Sequence, residues 1–148
     1  MFVLAHGTWI LVADGAKALF LRNDGNVRTP DLNVVRVETQ DNPPDREQSV
    51  SPPGRRPDGA SGQMSAMEQT DWHEMSKDRF AEETAAILNR YAHDGRFERL
   101  VIVAPPSTLG ALRTKLNNDV ADKIVAEIDK DFTNHPVDAI QKLLVDAL

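Results

Sequence analysis

The first forty residues alternate between short apolar runs and turn residues, a pattern that predicts three consecutive strands. Residues 9–13 form a continuous apolar run, and a second run at 18–21 follows the connector 14–17, which together predict a β-hairpin. Residues 23–26 carry asparagine and glycine, which accept the backbone angles of tight turns. In residues 33–38 valine alternates with charged residues, the period-two pattern of a half-exposed third strand.

Helical periodicity follows a proline-rich interruption. Two starts fit this main helix, Ser65 with Glu68 or Asp71 with Glu74, because both pairs have the spacing of a capping box. Gly95 is the expected stop, since glycine often ends helices in a left-handed conformation. The inward face is expected to consist of Phe80, Thr84, Ile87, Leu88 and Tyr91.

The apolar run 100–104 predicts a strand that is covered on both faces, and we place it at the centre of the sheet. Two prolines end this run. Ser107 or Thr108 is expected to cap a second helix, whose apolar residues face inward until Asn117 and Asn118. These inward residues are Leu109, Leu112 and Leu116.

The end of the chain is harder to assign. Residues 123–132 fit strand alternation about as well as helical spacing, and we assign the last part of this stretch to a strand. Asn134 before Pro136 predicts the start of a final helix. Its apolar face would be formed by Ile140, Leu143, Leu144 and Leu148.

This order of elements predicts an α/β fold with a mixed β-sheet, an N-terminal β-meander and about three helices. The 148 residues suit one domain spanning 1–148, and 41% hydrophobic with 27% charged residues is a globular composition. The absence of cysteine excludes disulfides and thiolate chemistry.

Residues 41–63 break the pattern. Five prolines and three glycines with few apolar side chains predict a long flexible loop, and loops of this length in compact domains are often functional. Arg55 and Arg56 are candidates for binding phosphate or a partner. Acidic residues in the same segment balance its arginines, so a solvated loop of mixed charge is the competing interpretation.

Net charge and hydropathy limit the classes of binding partner that the chain is expected to have. A net charge of −6 and a pI near 5.1 argue against DNA and against non-specific nucleic-acid binding, which depends on clustered Lys and Arg. The apolar opening has no early Lys or Arg, so we interpret it as a buried strand and expect a cytoplasmic protein. No apolar stretch approaches the length of a membrane helix, and no membrane partner is expected.

Motifs for common chemistry are incomplete. Gly54 and Gly59 have phosphate-loop spacing, but Ala60 stands where the lysine is required. His73-Glu74 begins like a zinc-protease helix, yet Lys77 occupies the second histidine position. We therefore expect no metal, no cofactor and no nucleophilic catalytic site.

One polar cleft is suggested by position. Lys17, close to Gly15, and the hydroxyl residues Ser107 and Thr108 at a helix N-terminus are expected to line one small polar cleft, because helix N-termini attract anions. Ordinary strand-to-helix connection and helix capping is the competing interpretation.

Four blocks in order resemble the bacterial host attachment protein family: WILVADGAK at 9–17, DRFAEE at 78–83, FERLVIVAPPSTLGALR at 97–113 and EIDKDFT at 127–133. That family is in turn similar to the middle domain of archaeal and eukaryotic peptide chain release factors, which implies a mixed-sheet α/β fold. Those release factors carry Gly-Gly-Gln on a flexible loop. Here the corresponding loop has Gly62 and Gln63, with Ser61 in place of the first glycine.

Two functions follow from this resemblance. The first hypothesis is a non-enzymatic cytoplasmic interaction protein with a protein partner. The second is a factor associated with the ribosome or tRNA, in which Gln63 and the adjacent Gly62 would help to hydrolyse an ester.

Overall fold

The computed structural model describes residues 3–40 and 66–147, with side chains from Met75 onward in the second range. It confirms the α/β fold with a mixed sheet, and the described part holds five strands and four helices. In chain order the elements are β1 Trp9–Ala13, β2 Lys17–Asn23, β3 Leu32–Thr39, α1 Ala66–His93, β4 Leu100–Val103, α2 Pro106–Arg113, α3 Asn118–Ala121, β5 Ile124–Ile128 and α4 Val137–Ala147.

The sheet has the order β3-β2-β1-β4-β5. The three N-terminal strands form the predicted antiparallel meander, whereas β4 and β5 run parallel to β1. The central strand is β1, so the expectation that the run at 100–104 lies at the centre is wrong. Its residues are apolar on both faces, so both faces of this strand can be covered by helices, and all five residues are buried.

Helices cover both faces of the sheet. On one face, which we call the α1 face, Leu11 and Phe20 pack with buried residues of α1, α2 and α3. On the other, the α4 face, Ile10 and Leu21 pack with α4. Successive residues of a strand point to opposite faces, so a strand such as β1 contributes to both cores. No helix among the described residues is both long and apolar enough to cross a membrane.

The meander boundaries differ slightly from the prediction. Lys17 and Asn23 are the first and last residues of β2 and do not belong to the turns. Asn23 is fully buried and its side chain hydrogen-bonds to neighbouring backbone groups. It therefore does not lie in an exposed turn, as its residue type suggested.

A β-bulge in β3 overturns the simple alternation predicted for residues 33–38. Phe20 pairs with Arg36 and Leu21 pairs with Val34, so Val35 is an extra residue in the ladder. Val35 and Arg36 consequently both lie on the α1 face, while Val37 lies on the opposite face, where it is exposed.

Helix α1 begins at Ala66, next to the earlier of the two predicted starts, and ends as predicted before Gly95. Gly95 has φ +73°. The amide of Gly95 donates to the carbonyl of Ala92, and the amide of Arg96 donates to that of Tyr91, which together make a Schellman motif.

Replacing Gly95 with alanine is expected to lower the free energy of unfolding by about 1 kcal/mol, because a side chain disfavours the left-handed conformation. A Cβ at this position meets no atom within 4 Å, so the cost is conformational and not steric. Chemical denaturation measures the change. Gly95→Asn should recover part of the loss, since asparagine tolerates this conformation better. Equal losses for both variants would contradict the explanation.

The predicted cap of the second helix is wrong. Helix α2 starts at Pro106 after Pro105, and no side chain caps its first turn, so neither Ser107 nor Thr108 has that role. The helix also ends at Arg113, earlier than expected. Asn117 instead caps the short helix α3, with its side chain accepting from the amide of Val120 at 3.2 Å.

The ambiguous stretch 123–132 contains a strand in its first part and not in its last. Strand β5 covers Ile124–Ile128, and Phe132 lies beyond it as a buried residue of the α4-face core. Helix α4 then begins at Val137, and Asn134 lies in the preceding turn. Ile140 and Leu144 are buried as predicted, while Leu148 lies outside the described residues.

Candidate functional site

A polar cleft of about 400 Å³ opens where β1 and β4 end. These strands are parallel neighbours, so their carboxyl ends meet at one edge of the sheet, a common position for ligands in α/β folds. We call it the strand-end cleft. Its lining residues are Asp14, Gly15, Ala16, Gln40, Ser76, Lys77, Pro105, Ser107 and Thr108.

The turn between β1 and β2 forms one wall. One carboxylate oxygen of Asp14 accepts from the amides of Ala16 and Lys17 at 2.8 and 2.7 Å, which fixes the turn. The other oxygen lies 2.7 Å from the hydroxyl of Thr133, which is also 2.7 Å from Oδ1 of Asp131, so the two carboxylates share one donor hydrogen. One oxygen of Asp14 therefore holds the turn, and the other lies beside a hydroxyl that it shares with Asp131.

The N-terminus of α2 forms the opposite wall. Pro106 has no amide hydrogen, and the first helical hydrogen bond is donated by Leu109 to the carbonyl of Pro105 at 2.9 Å. The amides of Ser107 and Thr108 precede this bond and point out of the helix end. With no acidic residue in the first turn, this end of α2 keeps its partial positive charge.

The cation of the strand-end cleft is Lys77 of α1. A Cβ on Gly15 would lie only 2.8 Å from Cγ of Lys77, so the lysine stem packs on the glycine backbone. Lys17 lies on the other side of the sheet, where its Nζ is 3.5 Å from the carbonyl oxygen of Thr133. The cause is strand parity, because the next residue, Ala18, faces α1.

The structure thus brings together Ser107, Thr108 and Gly15, but not Lys17. Lys77 was missed because its sequence context suggested only a failed zinc motif. The crossing of α1 from β3 to β4 could have indicated that its first half passes the strand ends. The remaining candidates, Arg55, Arg56, Gly62 and Gln63, lie outside the described residues, as does the predicted loop 41–63.

Gln40 connects the strand-end cleft to α1. Its side-chain amide donates to the carbonyl of Ser76 at 2.9 Å, and its backbone amide donates to that of Ala16 at 2.7 Å.

The chemistry available in the strand-end cleft is recognition of an anion. Lys77, Ser107 and Thr108 line it, and ammonium, hydroxyl and helix-end amide groups donate hydrogen bonds to phosphate or carboxylate oxygens. The groups on its walls fit binding better than proton transfer, because most of them are donors and one oxygen of its carboxylate already holds the turn.

The chain is similar to a bacterial protein and to a family of release-factor-like domains. An uncharacterised protein of Rickettsia prowazekii (strain Madrid E), RP470, is 33% identical over 51 residues, a stretch that covers 34% of each chain. The match therefore spans about a third of that relative's length. The family described as bacterial archaeo-eukaryotic release factor family 12 matches residues 7–144, which include every described strand and eight of the eleven residues of α4. The chain belongs to the bacterial archaeo-eukaryotic release factor family 12.

Proposed function

We propose that this protein acts in translation, in the bacterial cytoplasm, as a factor that binds the ribosome or tRNA. The observation that carries the proposal is the family match over residues 7–144, which extends across the whole described sheet. The mixed sheet is consistent with a release-factor-like domain. The strand-end cleft adds a surface that suits a phosphate or a terminal carboxylate.

A finer proposal concerns ester hydrolysis. A loop glutamine beside a flexible glycine can position a water molecule near an ester carbonyl while a backbone amide stabilises the developing charge. Gln63 with Gly62 has this composition. We assign to Gln63 the role of orienting water toward the ester of a peptidyl-tRNA.

Co-sedimentation with ribosomes tests the proposal. We expect the protein to pellet with ribosomes at about 50 mM salt and to remain in the supernatant at about 200 mM, since binding to phosphates weakens steeply over this range. Gln63→Ala should bind equally well and lose peptidyl-ester hydrolysis, whereas the matched control Gln48→Ala from the same segment should retain it. A protein that stays in the supernatant at low salt overturns ribosome association.

A second candidate function is a non-enzymatic interaction protein of the host attachment type. Val34 and Val37 on the α4 face of edge strand β3 are 46% and 49% exposed, and such an edge can pair with an added strand from a protein partner. The net charge of −6 also favours a protein over nucleic acid. A specific protein captured by the intact chain but not by Val37→Lys, with no pelleting on ribosomes, would favour this function.

A further inference from the structure

A second cleft, separate from the strand ends, lies between β3 and the last turns of α1. Its volume is about 510 Å³, which is within the range of small-molecule sites. We call it the arginine cleft, because three of its seven lining residues are arginines. The lining residues are Arg36, Ala86, Ile87, Arg90, Tyr91, Asp94 and Arg96.

Tyr91 is the fixed centre of this cleft. Its ring centroid lies 5.3 Å from that of Trp9 and 6.2 Å from that of Phe20, both in edge-on geometry, so buried aromatic rings hold it from the core side. On the outer side, the guanidinium carbons of Arg96 and Arg36 lie 5.3 and 6.0 Å from the same centroid.

Backbone features place these two arginines. The bulge at Val35 turns Arg36 toward α1, where its Nη1 donates to the hydroxyl of Tyr91 at 3.1 Å. The Schellman motif at Gly95 folds Arg96 back over Tyr91, in the position where this motif usually carries an apolar contact. The backbone of the fold therefore directs the side chains of Arg36 and Arg96 toward Tyr91.

The charge of the arginine cleft runs against that of the chain. Three guanidinium groups face one lining carboxylate, Asp94, in a protein of net charge −6. Arg36 also pairs with Glu38 at 2.7 Å, and its hydrogen bonds to Tyr91 and Glu38 raise the pKa of the guanidinium above its usual value. Within the described part of the chain, neither Arg90 nor Arg96 makes an ion pair.

We infer that the arginine cleft binds the phosphodiester backbone of single-stranded RNA, an inference that rests on the proposed translation function and locates its RNA contact. A guanidinium group offers a planar fork of donors that matches phosphate oxygens in two parallel hydrogen bonds. Guanidinium planes held beside an aromatic ring also provide surfaces on which nucleic-acid bases stack. Single-stranded RNA has such unstacked bases, and an acidic peptide does not.

Fluorescence anisotropy with a labelled unstructured RNA oligonucleotide tests this inference. The double variant Arg90→Gln with Arg96→Gln is expected to bind at least about tenfold more weakly, since each charge-assisted hydrogen bond contributes on that scale. The slope of log affinity against log salt should become shallower by about 0.7 for each phosphate that the variant no longer neutralises. The matched control, Arg28→Gln with Arg113→Gln, removes the same charge from exposed positions outside the cleft and should bind nearly as the unchanged protein does.

The remaining outcomes are decisive. Arg90→Lys with Arg96→Lys keeps the charge and should bind with intermediate affinity, because lysine lacks the bidentate geometry. Equal binding by the glutamine and control variants, competition by polyglutamate as strong as by RNA, or no RNA binding at low salt would each overturn the inference.

Arg90→Gln alone, which leaves Arg96 over Tyr91, serves if the double variant does not fold. Ribosome pelleting is scored separately: pelleting unaffected by the arginine variants refutes the cleft assignment and leaves the proposed function standing.

Discussion

Replacing Asn23 with alanine is expected to lower the free energy of unfolding by about 3 to 5 kcal/mol, since each buried group left without a partner costs about 1 to 3 kcal/mol. The side-chain amide nitrogen donates to the carbonyls of Leu4 and Ala5 at 3.0 and 3.2 Å. The side-chain oxygen accepts from the amides of Gly25 and Asp31, each at 2.9 Å. Asn23 is fully buried, so water cannot easily replace these bonds.

Urea unfolding followed by circular dichroism measures this loss. Asn26→Ala is the matched control in the same connection, because the Asn26 side chain also accepts backbone hydrogen bonds, from Arg28 and Thr29, but is exposed. Its cost should stay near 1 kcal/mol or below, as water can replace the missing partner. Similar costs for the two variants would show that burial is not what makes Asn23 important.

Replacing Trp9 with alanine is expected to cost about 3 to 5 kcal/mol, the range found for large aromatic side chains removed from a core. Trp9 is only 3% exposed and lies 5.4 Å from the ring of Phe97 and 5.3 Å from that of Tyr91. The variant would leave a cavity between the central strand and α1. Chemical denaturation followed by circular dichroism is the suitable measurement, since the change removes a fluorophore.

Trp9→Phe separates the volume of this side chain from its ring contacts. Phenylalanine preserves an aromatic neighbour for Tyr91 and should cost less than half as much as alanine. If Tyr91 depends on this support, Trp9→Ala should also weaken RNA binding, even under conditions where the variant is fully folded. An alanine variant as stable as the unchanged protein would contradict the central position of Trp9 in the core.

The sequence predicts the fold best where hydrophobic runs are unambiguous. Residues 9–13 and 100–103 are continuous apolar runs, and both are buried strands because two helical layers cover them. The strand assignment for the last part of residues 123–132 was wrong because the alternation extends beyond the strand. Phe132 is buried by packing with α4 and not by pairing in β5. Alternation within one segment cannot distinguish these two causes of burial.

Side-chain direction was predicted less well than element type. The extra residue at Val35 changes the faces of its neighbours, and no local pattern in residues 33–38 indicates a bulge. Lys17 was expected in the strand-end cleft because it is close to Gly15 in the sequence, yet Lys77 is close to it in space. The proximity of distant segments depends on helix placement, which one sequence indicates only coarsely.

The continuity of α1 sets the spacing between the two clefts. Ser76 lines the strand-end cleft and Ile87 lines the arginine cleft, eleven residues later and so on nearly the same side of the helix. From Ser76 to Arg90 the helix rises about 20 Å at 1.5 Å per residue. Helix α1 therefore fixes the distance between the two clefts, and only an extended polymer can contact both at once. A single inserted residue between Ser76 and Arg90 would rotate the α1 residues of one cleft by about 100° relative to those of the other and break this alignment.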